Sequence, residues 1–531
     1  MLPWIQRKYV DSGTWELTFD ALITSPICLA FMAFAFLAEL AYAIGFDVVT
    51  FVHLFQGLKR PNLPTDRPRL THAVIICAYK EPYDVLALTI KSLRSNHLAS
   101  NTIVILATEA RDEGADATFE RLQREFGFCF LTFFQTKHTL ATGEVAGKSS
   151  NERHACIELY EYVTRQQIDP YMVMVTTADA DSHFDKSFLE QLESEFCRQP
   201  DGRHTLFDSP INTHRNLANC NPLVAVFEIQ RTQFCTFSAL QFQPCQSNYS
   251  LTLGFAHLID FWCPDNTSED LHTTLKAIAF TNGATNVVVP VWSLILNDSV
   301  TDWQDRWVQA KRHMWGIEEV AWVLSLFPLL RLKVWLRMLS LTAEKMLTVT
   351  VVPPWLIMLT PQFISLVMAL PPTMLYMLVG SALLRSLVGW VQVFVREYLM
   401  HTYILKRRKK SMVVIPMSSW LHWALAYPFY SLITSLVFNT AATWAMLIHA
   451  TRNVTYGYVC APKALGQIQI ESGRESERIE DDQIQNLEVG CDESQSRIIA
   501  LTVTDPSESD TCSGSESSIT PDDAIHSNLK R

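Results

Sequence analysis

Two carboxylates one residue apart are the side chains of this sequence best placed to do chemistry. Asp179-Ala180-Asp181 ends the stretch 171–178, a short apolar run rich in β-branched residues that predicts a buried strand. In an open α/β sheet, ligands bind just beyond the carboxyl ends of the strands. Two carboxylates at that position could share Mg²⁺ or Mn²⁺ and, through the ion, hold a diphosphate. The alternative is a solvated acidic turn, because a D-x-D triplet is a short motif.

The elements around this pair alternate between short strands and helices. Strands are predicted over 72–78, 102–107, 128–134 and 171–177, and helices over 82–96, 115–126 and 151–164. Strands that alternate with helices of this length predict βαβ units and a mostly parallel sheet. The predicted fold class is therefore an α/β, Rossmann-like domain, and its strand ends would carry the site.

Apolar segments on both sides of this domain predict an integral membrane protein. Hydrophobic residues make up 48% of the 531 residues. Runs near 20–45, 344–369, 373–395 and 411–449 reach the roughly 20 residues that a spanning helix needs. Lys59, Arg60, Arg67 and Arg69 follow the first run and favour a cytosolic position for the next domain. The prediction is a multi-pass protein in contact with membrane lipids, in the plasma membrane or a Golgi or ER membrane.

The acidic charge of the chain belongs to its tail. The net charge is −11, and residues 465–531 hold fifteen acidic and five basic residues, which leaves −1 for the rest. Nucleic acid is therefore not an expected partner, since its binding needs a concentrated basic surface. The twelve cysteines show no C-x-x-C pair, which argues against a zinc module.

These patterns divide the chain into five regions. They are an N-terminal lead, anchor and interfacial segment (1–69), the cytosolic α/β domain (70–300), an amphipathic interfacial region (301–343), a C-terminal transmembrane bundle (344–460) and an acidic, Ser-rich, disordered tail (461–531).

Further motifs stand in the order of the predicted elements. They are CAYKEP at 77–82, TEARD at 108–112, GKSSN at 147–151, SEDL at 268–271 and QAKRHMWG at 309–316. With Asp179-Ala180-Asp181 among them and membrane segments on both sides, the set resembles the membrane-bound family-2 glycosyltransferases, which include the cellulose, chitin and hyaluronan synthases. The resemblance covers roughly residues 70–316.

This resemblance implies a GT-A-type fold and a role for each acidic residue. Asp181 and Asp179 would hold Mg²⁺ or Mn²⁺ against the diphosphate of a nucleotide sugar. Asp270 would be the general base that takes the proton from the acceptor hydroxyl. A helix N-terminus with acidic residues in its first turn is the structural alternative for Asp270, and both roles are compatible.

The remaining motif residues are implied to bind the two substrates. Tyr79, Glu81, Glu109 and Lys148, with Asp179, would contact the nucleotide sugar. Gln309, Arg312 and Trp315 would contact the diphosphate and the acceptor end. An arginine suits a diphosphate because its planar donors stay charged and reach two oxygens.

The sequence departs from the family pattern at two positions. His313 stands where the family has tryptophan, and Glu109 stands where it usually has aspartate. Because of the first departure, the sequence does not decide whether synthesis is processive. The nearby stretch 304–307 is interpreted as part of an amphipathic face.

The leading hypothesis is an inverting glycosyltransferase that moves a sugar from a nucleotide donor, most simply a UDP-sugar, to a glycan acceptor. Synthesis and export of a polysaccharide, for example for a cell wall, is one form of it. Polar or aromatic candidates for an export path are Gln362, Gln392, Arg396, His422 and Trp423. One alternative is a non-processive transferase acting on a lipid or glycan acceptor. Another is a catalytically silent membrane scaffold.

Three sequons lie inside the predicted cytosolic domain, at Asn248, Asn266 and Asn297. A cytosolic position predicts that none of them carries a glycan.

Overall fold

The computed structural model describes residues 26–63, 69–240, 244–283, 287–327, 329–350, 360–368, 372–405, 417–429, 437 and 440–452. The predicted N-terminal lead and the acidic tail lie outside these residues.

A seven-stranded sheet forms the centre of the domain. Its strands are β1 (Thr71–Ala78), β2 (Thr102–Glu109), β3 (Thr132–His138), β4 (Val173–Asp179), β5 (Leu206–Asp208), β6 (Tyr249–Thr252) and β7 (Val288–Pro290). They lie in the order β3-β2-β1-β4-β6-β5-β7. Strands β3, β2, β1 and β4 are parallel, and β6 runs antiparallel to β4 and β5. The predicted α/β class with a mostly parallel sheet is confirmed.

The helices of the domain pack against the sheet. They are α2 (Tyr83–Arg94), α3 (Ala115–Phe126), α4 (Lys148–Arg165), α5 (Phe188–Arg198), α6 (Pro222–Ser238), α7 (Leu253–Leu258) and α8 (Glu269–Phe280). All eight residues of β2 are buried, as expected for a parallel strand covered on both faces. The core therefore sits around β1, β2 and β4, whose carboxyl ends form one edge of the sheet.

Further helices precede and follow this domain. They are α1 (Pro26–Gly57), α9 (Trp303–Trp315), α10 (Glu318–Ser325), α11 (Leu332–Thr350), α12 (Pro361–Met368), α13 (Pro372–Leu399), α14 (Met417–Ala426) and α15 (Thr440–Arg452). A π-helical turn, Met400–Ile404, continues α13.

The prediction was wrong about where β3 begins. Strand 128–134 was expected, but Gly127–Cys129 forms a 3₁₀ turn and the strand starts at Thr132. Apolar Phe128 is exposed, whereas Thr132 pairs with Ile103 of β2. Pairing with β2 thus sets the start of the strand, and hydrophobicity does not.

Two of the described helices are long and apolar enough to cross a bilayer, judged by length and composition. They are Ala33–Gly57 and Leu375–Ile404, with 6% of each window buried in the protein. Their outward faces carry exposed Phe34, Tyr42 and Leu383. A core position would have covered these faces. Among the other segments predicted to span, the described residues supply no further helix of this kind.

Polar pairs join α1 to α13. Arg385 Nη1 lies 2.7 Å from Glu39 Oε1, and Arg396 Nε lies 2.9 Å from Asp47 Oδ1. Gln392 Nε2 donates to Asp47 Oδ2 at 2.8 Å. Gln392 and Arg396, predicted as candidates for an export path, thus bond to the neighbouring helix. Because both residue numbers rise together along these pairs, the two helices run in the same direction.

The carboxyl ends of these two helices reach the α/β domain. Phe51 and Leu54 of α1 and Met400 of the π turn share an apolar cluster with Trp292 and Leu296. Gly57 lies so close to this segment that a Cβ there would be 2.2 Å from the carbonyl oxygen of Trp292.

Candidate active site

The two predicted metal ligands lie at the carboxyl edge of the sheet. Asp179 is the last residue of β4 and is in register with Cys77 of β1. Its side chain is 28% exposed, whereas Asp181 is buried at 2%. One carboxylate thus faces outward from the strand end, and the other points into the protein.

A network of amides fixes the turn that carries these carboxylates. Asn248 Oδ1 accepts a hydrogen bond from Ser182 Oγ at 2.9 Å, and its Nδ2 donates to Asn297 Oδ1 at 2.7 Å. Asn297 Nδ2 in turn donates to Ser182 Oγ at 3.1 Å. These residues are buried, so the bonds form away from water and hold the turn in one conformation.

Asp181 is also held from the far side of the turn. The backbone N–H of Asp298 donates to Asp181 Oδ2 at 3.1 Å. The side chain of Asp298 pairs with Arg215, whose Nε lies 2.7 Å from Asp298 Oδ1. Both side chains of this pair are nearly buried. The position of Asp181 therefore depends on residues far from it in sequence.

Lys148 joins the Asp179–Asp181 turn to the Ser-Glu-Asp segment. Its ammonium nitrogen lies 3.1 Å from Asp179 Oδ1, 3.3 Å from Glu269 Oε1 and 3.7 Å from Glu152 Oε1. Burial alone would lower the pKa of Lys148, but the three carboxylates together raise it well above its usual value. Lys148 is therefore a permanent cation between two motifs.

Glu152 lies beneath Lys148 with no exposed surface. Burial raises its pKa well above the usual value, and the neighbouring Glu269 and Asp179 act in the same direction against the lowering effect of Lys148. Burial therefore disfavours the ionised form of Glu152 relative to an ordinary glutamate.

Asp270 lies in the first turn of α8, directly after Glu269. It is half-buried, and its Oδ1 accepts a hydrogen bond from the N–H of Leu271 at 2.7 Å. Buried Asp208, the last residue of β5, has its pKa raised to about 7 by burial first and by the charge of Asp270 second. The N-terminus of α8 favours negative charge at Asp270, whereas burial disfavours it at Asp208.

The residues predicted to bind the nucleoside lie around the ends of β1 and β2. Glu109 is buried and accepts a hydrogen bond from Arg111 Nε at 2.5 Å. The guanidinium carbon of Arg111 is 4.4 Å from the ring centre of Tyr79. Glu81 lines a cavity of about 220 Å³ beside Thr108. Tyr79, Glu81 and Glu109 are thus brought to one place at the sheet edge.

The residues predicted for the acceptor end lie on α9, and the structure separates them. Gln309 accepts a hydrogen bond from Arg306, and Arg312 is half-buried. Trp315 is 1% exposed, with its ring 6.1 Å from that of Trp444 on α15. The next residue, Gly316, contacts Ser268, so the end of α9 packs on the segment that carries Asp270.

The interpretation of 304–307 as an amphipathic face was wrong for Arg306. Its side chain is fully buried, 2.7 Å from Glu228 Oε1, with the guanidinium carbon 3.9 Å from the ring centre of Phe227. The ion pair compensates the burial of each charge and fastens α9 to α6.

A buried row of three side chains holds α8 against α10. His272 Nδ1 lies 2.8 Å from Glu319 Oε2, and its Nε2 lies 3.0 Å from Cys263 Sγ. Burial would lower the pKa of His272, but Glu319 and Cys263 raise it to about 10. The carbonyl of Cys263 also accepts a hydrogen bond from Ser149 Oγ at 2.5 Å, beside Lys148.

All three asparagines of the predicted sequons are buried. Asn248, Asn266 and Asn297 are exposed by 1%, 9% and 7%. Asn266 donates to Glu319, and the other two belong to the network around Ser182. The fold as it stands has no room for a glycan on these side chains.

Several residues of this site were missed by reasoning from the sequence. Asn248 and Asn297 were noted only as sequons, and Asp298 and Arg215 were assigned no role; tertiary contacts connect all four to the Asp179–Asp181 turn. Glu269 could have been predicted from the sequence, because it is the central residue of the Ser-Glu-Asp triplet.

Comparison with known proteins finds a family similarity over part of the chain. Residues 174–387 match the family described as "Glycosyl transferase family group 2". No curated protein matches the chain significantly. One similar solved structure is the mannosyltransferase PcManGT from Pyrobaculum calidifontis in complex with GDP-Man and Mn²⁺, at 14% identity and a TM-score of 0.39, over 75% of this chain and 97% of that one. The family match spans the Asp179–Asp181 turn and the Ser-Glu-Asp segment, and this part of the chain is similar to family-2 glycosyltransferases.

Proposed function

We propose that the protein transfers a sugar, with inversion, from a UDP-sugar to a glycan acceptor at the edge that holds Lys148. The observation that carries this proposal is the position of the Lys148 ammonium, 3.1 Å from Asp179 and 3.3 Å from Glu269. The segment of Asp179 would bind the donor, and the segment of Glu269 and Asp270 would remove the proton. Lys148 contacts both segments.

The donor end fits the charge of a nucleoside diphosphate. Lys148 offers a cation, and Asp179 and Asp181 offer the hard carboxylate oxygens that suit Mg²⁺ or Mn²⁺. Such an ion, when bound, neutralises charge on the departing diphosphate as a Lewis acid. Tyr79, Glu81 and Glu109 would contact the nucleoside.

Asp270 would act as the general base. Its carboxylate would accept the proton of the acceptor hydroxyl as that oxygen bonds to the anomeric carbon and the bond to the diphosphate oxygen breaks. Attack on the face opposite the leaving group gives inversion.

The setting of this reaction completes the proposal. The domain would have the GT-A-type fold and face the cytosol, with α1 and Leu375–Ile404 crossing the membrane. Gln309 and Arg312 would bind diphosphate and the acceptor end. The product would be a polysaccharide exported through the membrane helices.

One observation favours a second candidate, a non-processive transferase that adds a single sugar. Trp315 was predicted to contact the acceptor, but its ring is buried against Trp444 on α15. A buried ring offers no face on which an acceptor sugar can stack.

The test is a donor screen with purified protein in nanodiscs. Sugar transfer and donor hydrolysis are measured with each nucleotide sugar in Mn²⁺ or Mg²⁺, and products are identified by mass spectrometry. We expect turnover with a UDP-sugar, none in Asp181→Ala, and a loss of roughly 10²-fold or more in Asp270→Asn with donor binding kept. Exposed Asp265→Asn is the matched control and should keep wild-type activity. Wild-type rates in Asp270→Asn would exclude it as the base.

A further inference from the structure

A second group of possible metal ligands lies away from the Asp179–Asp181 turn. His214 belongs to the loop after β5, Glu397 to the last turn of α13, and His401 to the π turn that follows. One ligand atom from each of the three lies within 4.8 Å of the others. The side chains of His214 and Glu397 are 1% exposed, and that of His401 is 17% exposed.

Both imidazoles point at the same carboxylate oxygen. His214 Nε2 lies 2.6 Å from Glu397 Oε1, and His401 Nε2 lies 3.0 Å from it. The two rings come from different parts of the chain and meet at 5.2 Å between their centres, nearly perpendicular. Two imidazoles and one carboxylate form a ligand set typical of first-row divalent metals.

The orientation of His214 is set by its other nitrogen. Asn212 Oδ1 accepts the backbone N–H of His214 at 3.2 Å, so the oxygen of that amide faces the histidine. His214 Nδ1 lies 2.9 Å from the same oxygen. The ring therefore directs Nε2 at the carboxylate of Glu397, 2.6 Å away.

Hydrogen bonds from residues outside the ligand set orient the ligands, as they do in known metal sites. Asn212 fixes the ring of His214, and Gln233 Nε2 donates to Glu397 Oε2 at 3.1 Å, which leaves Oε1 for the imidazoles. Such outer partners set the tautomer and direction of ligands. His401 lies where α13 changes to π geometry, a change often found at functional sites.

We propose that His214, Glu397 and His401 bind a divalent transition-metal ion, with Zn²⁺ as the best match to this ligand set. The ion would connect the loop after β5 to the end of α13. Arg215, next to His214, pairs with Asp298, whose N–H bonds to Asp181. The site would thus be a structural metal centre that anchors the catalytic turn to the helix.

The experiment uses the full chain with a tag free of histidine, purified in nanodiscs. Metal content is measured by mass spectrometry after removal of loosely bound ions, and Zn²⁺ affinity by titration of chelator-treated protein. We expect about one Zn²⁺ per chain in the wild type, in Asp181→Ala and in His257→Ala, whose histidine is exposed. We expect its loss in His214→Asn and in His401→Asn.

X-ray absorption at the zinc edge of the wild type keeps the test valid if a variant fails to fold. Two imidazoles and a carboxylate in the first shell support the proposal. Absence of a stoichiometric metal together with no Zn²⁺ binding below about 10 µM would overturn the proposal. His214 and Glu397 would then be joined by a hydrogen bond alone. Metal retained in both histidine variants would also overturn the proposal.

Discussion

Gly316 lies against Ser268, so close that a Cβ on residue 316 would stand 2.6 Å from Ser268 Oγ. This contact joins the end of α9 to the residue two positions before Asp270. Gly316→Ala should therefore displace the Ser-Glu-Asp segment and lower the transfer rate by about 10-fold or more, because small misplacements of catalytic groups are costly. The donor affinity, measured by titration, should change little.

Removing the opposing oxygen provides the control for this contact. Ser268→Ala alone should be nearly silent, since the structure shows no capping bond from this side chain. The double variant Ser268→Ala/Gly316→Ala should recover most of the lost rate. A double variant as slow as Gly316→Ala would show that the hydroxyl is not the obstacle.

Lys148 and Glu152 form a matched pair for a second prediction. Lys148→Met leaves Asp179 and Glu269 without their shared cation and should lower both transfer and stability, the latter by about 3–5 kcal/mol. Glu152→Gln should cost less activity than Lys148→Met, because burial raises the pKa of Glu152 and so disfavours the charge that the amide removes. Transfer rates and melting temperatures in detergent measure both effects. Equal damage in the two variants would contradict this expectation.

Asp208 predicts a pH dependence of stability. Its pKa is about 7 in the folded protein, against 3.8 as its ordinary value, mainly because of burial. The folded state binds the extra proton, so this stabilisation is complete below about pH 4 and lost as pH rises through 7. Asp208→Asn should remove that loss and gain at most about 4 kcal/mol relative to the wild type above pH 7.

Melting temperatures from pH 5 to 8 test this expectation. The difference between Asp208→Asn and the wild type should grow with pH, whereas exposed Asp265→Asn should show a constant difference. Parallel curves for Asp208→Asn and the wild type would place the pKa of Asp208 near its ordinary value.

The proposed export can be tested in sealed vesicles with the catalytic domain facing outward. A hydrophilic polymer cannot cross roughly 30 Å of hydrocarbon without a lined path. With labelled donor outside, an exporting synthase should give long chains protected from added glycosidase. Detergent should remove the protection, as a control. Single-sugar products, or chains digested from outside, would favour the non-processive candidate.

The strand ends could be predicted from the sequence because their signal is local. The apolar run before Asp179 specifies a buried strand, and parallel strands bring their carboxyl ends to one edge. The start of β3 could not be predicted, because Phe128 is apolar yet exposed and pairing with β2 decides the boundary. Local patterns do not record such pairing.

Contacts between distant segments were beyond sequence reasoning for the same reason. His214 and Glu397 are 183 residues apart, and Asp181 and Asp298 are 117 apart. The sequence around each of these residues gives no indication of its partner. Arg306 is a related case. A charged residue in an amphipathic helix is expected to be exposed, but Arg306 is buried because it pairs with Glu228.

The buried sequon asparagines bear on how the chain can be made. Asn248 and Asn297 use their side-chain amides to hold the turn of Asp179 and Asp181. Oligosaccharide transfer acts on sequons as chains enter a secretory lumen, before such amides are buried. A sugar attached at Asn248 would prevent this network from forming. The network that holds the Asp179–Asp181 turn and N-glycosylation therefore compete for the same side-chain nitrogen atoms, those of Asn248 and Asn297.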